Sequence, residues 1–253
     1  MEKKIALVTG ATSGIGRATA LVLAQLGYNI IATGRRQQRL QDLQREISNK
    51  GAEILTLKFD VRDQVAVKEA LNTLPDKWKK IDVLINNAGN AHGLDPIQTG
   101  SLEDWDAMID INVKGLLYVS NEIIPGMVER NSGDIVNIGS IAGKEVYPMG
   151  NVYCASKHAV DALTKGMRMD LNPHGIRVIG LHPGLVETEF SLVRFKGDES
   201  RSKAVYKGLQ PLTPEDIAET IAFALSRPSH VMLADIVMLP TAQASATLVK
   251  KNI

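Results

Sequence analysis

Tyr153 and Lys157 are the pair of side chains in this sequence whose types and spacing best suit chemistry. A four-residue spacing places both on one face, one turn apart, if the segment is helical. A free tyrosine hydroxyl has a pKa of about 10, and a neighbouring ammonium lowers that pKa because it favours the phenolate. The pair is therefore typical of a tuned proton donor and acceptor. An ordinary amphipathic helix that happens to contain both residues is the alternative.

A glycine-rich turn near the start of the chain indicates a phosphate site. Residues 3–9 form an apolar run that predicts a buried strand, and residues 17–26 show a helical pattern. Gly10, Gly14 and Gly16 lie between them, so backbone amides and a helix N-terminus can face a phosphate. Their spacing differs from the Gly-x-Gly-x-x-Gly dinucleotide pattern, and a tight turn without a ligand is the alternative.

Two arginines follow the second predicted strand, residues 28–33. Arg35 and Arg36 stand where a dinucleotide-binding fold would place an acidic residue for the adenosine ribose, and that turn contains no acid. Arginine at this place suits a 2′-phosphate, which predicts NADP rather than NAD. Alternatively, the two arginines are the solvated start of the next helix, which is predicted from Gln37.

Strand and helix patterns alternate along the rest of the chain, which predicts a single domain, residues 1–253, built on one doubly wound parallel sheet. Small and polar residues end several strands, and in such sheets the carboxyl ends of the strands form the ligand crevice. Asn112 is unexpected in an apolar helix, because a buried amide needs partners. His92 lacks partners at ligand spacing, so no metal is predicted. The strand-end residues are Asp60-Val61, Asn86-Asn87-Ala88-Gly89, Ser140 and His182-Pro183-Gly184.

The totals exclude several classes of function. The 253 residues carry a net charge of +1 with scattered Lys and Arg, which gives no case for nucleic acid or an anionic membrane. The single cysteine excludes an internal disulfide and fits a reducing compartment. No targeting segment or membrane-length apolar run is evident, so we expect a cytoplasmic protein.

The segment of about residues 187–210 interrupts the alternation, and its length predicts a mobile lid or substrate loop. Arg194 lies there among apolar residues, and an apolar lid needs a charged partner for any carboxylate that it encloses. We therefore expect Arg194 to bind a substrate carboxylate. A surface position near Lys196 and Arg201 is the alternative.

Taken in order, these motifs resemble those of the short-chain dehydrogenases/reductases over essentially the whole chain. The matching residues are Thr9-Gly10-x-x-x-Gly14-Ile15-Gly16, Asp60-Val61, Asn86-Asn87-Ala88-Gly89, Asn112, Ser140, Tyr153-x-x-x-Lys157, Pro183-Gly184 and Thr188. The resemblance implies a seven-stranded Rossmann sheet with helices on both faces, and hydride transfer between a nicotinamide and an alcohol or carbonyl.

The resemblance also implies roles for individual residues. Tyr153 would be the general acid/base, Ser140 would hold the substrate oxygen, and Asn112 would hold a water that links Lys157 to solvent. Lys157 would bind the nicotinamide ribose and lower the tyrosine pKa. Substrate would contact Ser140, Tyr153 and Arg194. The implied cofactor-binding set is Gly10, Thr12, Ser13, Gly14, Ile15, Arg35, Arg36, Asp60, Val61, Asn87, Ala88, Gly89, Tyr153, Lys157, Pro183, Gly184, Val186 and Thr188.

Residues 183–198 and 212–216 are similar to a narrower group, the NADP-dependent 3-hydroxy acid dehydrogenases, which include serine and L-allo-threonine dehydrogenases. That similarity implies a small-molecule substrate, NADP and a homotetramer. A broad-specificity carbonyl reductase and a 3-oxoacyl carrier-protein reductase are the alternatives among enzymes. A nucleotide-binding sensor without catalysis is the alternative from another class.

Overall fold

The computed structural model describes residues 3–252. Seven strands form one parallel sheet in the order β3-β2-β1-β4-β5-β6-β7, which confirms the predicted doubly wound Rossmann architecture. The order reverses at β1, so the crevice of the fold opens beside the carboxyl ends of β1 and β4. The strands are β1 (Ile5–Val8), β2 (Asn29–Gly34), β3 (Ile54–Lys58), β4 (Ile81–Asn86), β5 (Asp134–Ile138), β6 (Arg177–Pro183) and β7 (Asp235–Met238).

Helices cover both faces of the sheet, which explains why the central strands are continuous apolar runs instead of alternating ones. The core on one face joins the sheet to α1, α2 and α9, and the core on the other joins it to α3, α5 and α6. The helices are α1 (Gly14–Gln25), α2 (Gln37–Asn49), α3 (Gln64–Asn72), α4 (Leu102–Ile109), α5 (Gly115–Glu129), α6 (Asn151–Leu171), α7 (Phe190–Arg194), α8 (Glu199–Tyr206) and α9 (Pro214–Leu225).

Two segments differ from what the sequence predicts. The apolar helix predicted around Asn112 is divided by a π-helical turn, Asp110–Lys114, which separates α4 from α5. The segment 187–210 is not an irregular loop, because it contains the short helices α7 and α8. Its polar, charged composition hides the second of these, since α8 buries none of its residues. Whether this segment moves as a lid stays a prediction.

No helix within residues 3–252 has both the length and the apolar character needed to cross a membrane.

A buried ion pair joins the starts of β5 and β6. The Nε of Arg177 donates to Oδ1 of Asp134 at 2.5 Å, and both residues are at least nine-tenths buried. The remaining nitrogens of this guanidinium donate to carbonyl oxygens at and just after the end of α9, which are those of Leu225, Arg227, Pro228 and Val231. One arginine therefore pairs with a buried carboxylate and also with carbonyl groups at the end of α9 that have no partner within the helix.

We expect Arg177→Met to lower the free energy of unfolding by about 3–5 kcal/mol, because it leaves the Asp134 carboxylate buried without its partner. Urea unfolding followed by circular dichroism measures the loss. Arg45→Met is the matched control, since Arg45 pairs with Asp42 on the surface and such pairs contribute at most about 1 kcal/mol. Equal losses in the two variants would contradict the role given to Arg177.

Candidate active site

A single continuous cleft of about 530 Å³ opens at the carboxyl ends of the strands. The structure brings every residue predicted to contact cofactor or substrate to its wall, and places Asn112 directly behind the wall. The predicted residues that line the cleft are Gly10, Thr12, Ser13, Gly14, Ile15, Arg35, Arg36, Asp60, Val61, Asn87, Ala88, Gly89, Ser140, Tyr153, Lys157, Pro183, Gly184, Val186, Thr188 and Arg194.

Three positions at the turn between β1 and α1 favour glycine, for reasons of backbone conformation or space. Gly10 and Gly14 have φ angles of +66° and +50°, which side chains rarely adopt. A Cβ on Gly16 would lie 2.5 Å from the carbonyl oxygen of Gly10 and 2.4 Å from Nδ2 of Asn87. The chain is thus drawn tightly around the N-terminus of α1, an arrangement suited to binding a phosphate group.

The two predicted arginines lie at the end of β2, and they differ in their partners. Arg36 donates from Nε and Nη2 to Oγ1 of Thr12, at 3.1 and 2.8 Å, and from Nη2 to Oγ of Ser13 at 2.7 Å. Arg35 lies with its Nη1 3.6 Å from Oδ2 of Asp60 and is more than half exposed. Both guanidinium groups therefore stand at the same end of the cleft as the glycine turn.

The catalytic candidates converge at the opposite end. Tyr153 and Lys157 lie one turn apart on α6, and Ser140 follows β5. Ser140 lies near the Tyr153 side chain and lowers its pKa, and the Ser140 Oγ accepts from the amide of Ala142 at 3.1 Å. The Nζ of Lys157 donates to the carbonyl oxygen of Ile138 at 2.9 Å. All three side chains are buried, which places them in a poorly hydrated part of the cleft.

Burial controls the protonation of this group in a way that sequence reasoning missed. Burial raises the pKa of the Tyr153 hydroxyl above its usual 10, more than Ser140 lowers it. Burial also lowers the pKa of Lys157 from 10.5 to about 8. Lys157 is not among the groups that shift the pKa of Tyr153 in the protein alone, where burial decides the direction, so the expected lowering of this pKa by Lys157 stays a prediction.

Asn112 has full hydrogen bonding in its buried position, which answers the question that its sequence context raised. Its Oδ1 accepts from the amide of Asn90 at 2.9 Å. Its Nδ2 donates to the carbonyl oxygen of Asn90 at 2.9 Å and to Oγ of Ser156 at 3.0 Å. The π-helical turn that carries Asn112 joins the loop after β4 to α6, and such turns often occur at functional sites.

Arg194, at the end of α7, faces the cleft and not the surface. Its Nη2 donates to the hydroxyl of Tyr147 at 2.7 Å, and its Nε donates to the carbonyl oxygen of Gly93 at 3.2 Å. The guanidinium carbon lies 5.2 Å from the centroid of the Tyr153 ring. Phe190, at the other end of α7, packs on the same ring with centroids 5.6 Å apart. A cation thus stands beside the candidate proton donor.

Several lining residues are not predicted from the sequence, among them Tyr147, Glu189 and Gln243. Tyr147 lies in a loop without periodicity, and Glu189 was one acid among several in a charged segment. Gln243 lies after β7, in a stretch for which the sequence predicts no helix or strand. Its Oε1 accepts from the amide of Leu185 at 2.8 Å, and a Cβ on Gly184 would lie 2.2 Å from that oxygen. No local pattern indicates any of these contacts, since the partners are far apart in sequence.

A second polar cluster lies beyond Ser140, outside the wall of the cleft. His182 is fully buried, and its Nε2 lies 2.6 Å from Oδ1 of Asp235. The Nζ of Lys144 donates to Asp161 at 2.6 Å and to Asp235 at 2.9 Å. The geometry of the His and the two acids resembles a metal-binding group. The Lys144 ammonium, however, already supplies the positive charge that these carboxylates need.

Comparison with known proteins identifies the class. The family model described as short chain dehydrogenase matches residues 4–198, so the chain belongs to that family. The NADP-dependent 3-hydroxy acid dehydrogenase YdfG of Salmonella typhi is 47% identical over 245 residues, covering 96% of this chain and 98% of that protein. Sulfoacetaldehyde reductase 2 of Chromohalobacter salexigens is 44% identical over 241 residues, covering 95% of each chain.

A solved structure of similar shape is the closed form of serine dehydrogenase complexed with NADP+, with a TM-score of 0.92 and 45% identity. It covers 98% of this chain and 100% of its own. The protein is an NADP-dependent oxidoreductase that acts on CH–OH groups. Its cleft fits the cofactor, because the glycine turn admits a pyrophosphate and the Arg35 and Arg36 cations stand beside the turn.

The lowered pKa of Lys157 makes a prediction about stability. Between pH 8 and 10.5 the unfolded chain holds this proton more firmly than the folded protein does, so the stability of the native protein rises with pH in that window. Relative to Lys157→Met, we expect the native free energy of unfolding to increase by about 1 kcal/mol from pH 7 to pH 9.

Urea unfolding of both proteins at the two pH values measures this change. Lys165→Met is the matched control. Lys165 lies on the same helix, is exposed and pairs with Asp161. The lowered pKa would be contradicted if the native protein and Lys157→Met differed in free energy of unfolding by the same amount at pH 7 and at pH 9.

Proposed function

We propose that the protein interconverts a short 3-hydroxy acid and the corresponding 3-oxo acid or semialdehyde, with Tyr153 as general acid/base. Serine, L-allo-threonine, 3-hydroxyisobutyrate and 3-hydroxypropionate represent the substrate class. The observation that carries this proposal is the position of Arg194, whose guanidinium carbon lies 5.2 Å from the centroid of the Tyr153 ring. A substrate oxygen at the tyrosine hydroxyl would then leave an acid group two or three atoms away within reach of the arginine.

The nicotinamide of NADP supplies or accepts the hydride, and the side chains of the chain handle the proton and the charge. In the reducing direction Tyr153 donates its proton to the carbonyl oxygen, and in the oxidising direction it removes the hydroxyl proton. The Ser140 hydroxyl donates to the same oxygen, where charge develops. We assign Lys157 to the nicotinamide ribose and Asn112 to a water that connects Lys157 with solvent.

The other end of the cleft holds the adenosine part of the cofactor in this proposal. Arg35 and Arg36 bind the 2′-phosphate, since planar guanidinium groups suit phosphate oxygens and no acid ends β2. Asp60 and Val61 line the same region. The glycine turn and Thr188 then border the pyrophosphate, because both line this part of the cleft.

An acid group is the feature shared by the substrates named for its relatives, which are a 3-hydroxy acid, serine and sulfoacetaldehyde. Carboxylates and sulfonates both place several oxygens around one negative charge, and arginine recognises such groups through paired N–H donors. Enclosing that charge without a partner would be costly. Arg194 supplies the partner on the side of the cleft that α7 covers.

A homotetramer in the cytoplasm completes the proposal. The edge strand β7 supports assembly, because Val237 of that strand and Phe223 of the neighbouring α9 are large apolar residues at least half exposed. Edge strands with apolar exposure are usually covered in solution.

A panel of substrates tests the reaction class, and the absorbance of the NADPH formed or consumed measures turnover. It contains 3-hydroxy acids, 3-hydroxysulfonates, uncharged alcohols of equal size and a 3-oxoacyl thioester. Preference for the acids supports the proposal. Equal turnover of uncharged alcohols would favour a broad carbonyl reductase, and thioester preference would favour a carrier-protein reductase. Cofactor binding without turnover of any compound would favour a sensor.

We expect Tyr153→Phe to reduce kcat by about 10²–10⁴-fold, because the ring stays and only the transferable proton is lost. Affinity for NADPH should change little, and calorimetric titration measures it in the same samples. Tyr118→Phe is the matched control, since Tyr118 lies on α5 outside the cleft wall. A Tyr153→Phe enzyme with near-native kcat would remove the tyrosine from the mechanism.

We expect Arg194→Ala to raise KM for 3-hydroxy acids by roughly tenfold or more, because a charge-assisted hydrogen bond contributes about 1.5–3 kcal/mol. Turnover of uncharged alcohols should be largely spared. Arg201→Ala is the matched control, since Arg201 stacks on Phe195 at 4.4 Å and does not line the cleft. A uniform loss on both substrate classes would mean that Arg194 supports α7 through Tyr147 and Gly93 and does not bind substrate.

A further inference from the structure

Glu189 bridges two arginines across the mouth of the cleft. Its Oε2 accepts from Nη1 of Arg36 at 2.8 Å, and its Oε1 accepts from Nη1 of Arg39 at 2.6 Å. Burial alone raises the pKa of this carboxyl, but the hydrogen bonds from Arg36 and Arg39 outweigh burial and lower the pKa overall. An ionised carboxylate therefore sits between two guanidinium groups, the position that suits a phosphate.

The N–H groups of Arg36 are nearly all engaged. One bond leaves from Nε, two from Nη2 and one from Nη1, so four of its five N–H groups have partners in the described chain. Paired recognition of a phosphate needs two parallel N–H groups. The bonds to Thr12 and Ser13 use the N–H groups of Nε and Nη2. A pair of N–H groups that binds a phosphate must therefore include Nη1, which now donates to Glu189.

Charge leads to the same conclusion. Arg35, Arg36, Arg39 and Arg62 carry four positive charges at this end, and Asp60 and Glu189 carry two negative ones. A 2′-phosphate carries nearly two negative charges at neutral pH, with a second pKa of about 6. Binding it against Arg36 places it beside the Glu189 carboxylate, where the two anions repel.

We propose that Glu189 is an internal competitor of the cofactor's 2′-phosphate for Arg36 and Arg39, and so a residue that sets the strength of NADP discrimination. The proposal also adds Arg39 to the phosphate-binding arginines, because Glu189 joins it to Arg36. It rests on the proposed function, which assigns the 2′-phosphate to this end of the cleft.

The competition reaches the substrate end through α7. Glu189 is the N-cap residue of that helix, so its two bonds tie the start of α7 to the start of α2. The next residue, Phe190, packs on the Tyr153 ring, and Arg194 ends the helix. A 2′-phosphate that displaces Glu189 therefore frees one end of the helix whose other end bears the candidate substrate arginine.

Calorimetric titration of the full chain with adenosine 2′,5′-bisphosphate and with adenosine 5′-monophosphate tests the competition, because the two probes differ only in the 2′-phosphate. We expect Glu189→Gln to bind the bisphosphate about tenfold more tightly than the native protein does, and the monophosphate equally. Glu187→Gln is the matched control. It removes the same charge two residues away, from an exposed side chain without a hydrogen bond or ion pair within residues 3–252, and should change neither affinity.

Weaker or unchanged binding of the bisphosphate to Glu189→Gln would overturn the proposal, since weaker binding would mean that Glu189 positions the arginines. Arg36→Gln separates this failure from failure of the proposed phosphate site. If Arg36→Gln binds the bisphosphate as the native protein does, the phosphate lies elsewhere and the premise itself is overturned.

Faster amide hydrogen exchange in residues 190–194 of the native protein with the bisphosphate, but not with the monophosphate, supports the link to α7. Exchange equal with both probes overturns that link.

Discussion

The burial of the Lys157 ammonium is the constraint on which the geometry of the catalytic end depends. The residue is 6% exposed, and its Nζ donates to the carbonyl oxygen at the end of β5. Gly143 allows α6 to approach this closely, because a Cβ there would lie 2.5 Å from the Lys157 carbonyl oxygen. Desolvation of the ammonium costs stability, and sites that retain such a group usually do so for function.

That constraint fixes the positions of the neighbouring groups. Because α6 must lie close to the ends of β4 and β5, the loop after β4 needs hydrogen-bond partners that α6 alone does not offer. Asn112 provides them by bonding both Asn90 and Ser156, and the π-helical turn directs its amide inward. A regular helix here would rotate the side chain away from that position. The π-helical turn and the buried Asn112 amide therefore depend on each other.

The sequence predicts the sheet, the glycine turn and the convergence of the strand-end residues, because each follows from local periodicity or from the topology of parallel strands. It does not predict the contact between Glu189 and Arg36, which are 153 residues apart, or the return of Gln243 to the cleft. Long-range side-chain pairs leave no local pattern. The direction of the Tyr153 pKa also escapes, since residue spacing does not reveal the depth of burial that raises this pKa.

The short helix α7 links the two ends of the cleft. Glu189 at its start faces the arginines of the cofactor end, and Arg194 at its end faces Tyr153. Because α7 has only five residues, Glu189 and Arg194 lie about one and a half turns apart. The two ends of α7 carry opposite charges. In the two proposals above, a phosphate competes with the carboxylate at its start and an acid substrate binds the guanidinium at its end. Cofactor choice and substrate choice would then be set by the same short segment of the chain.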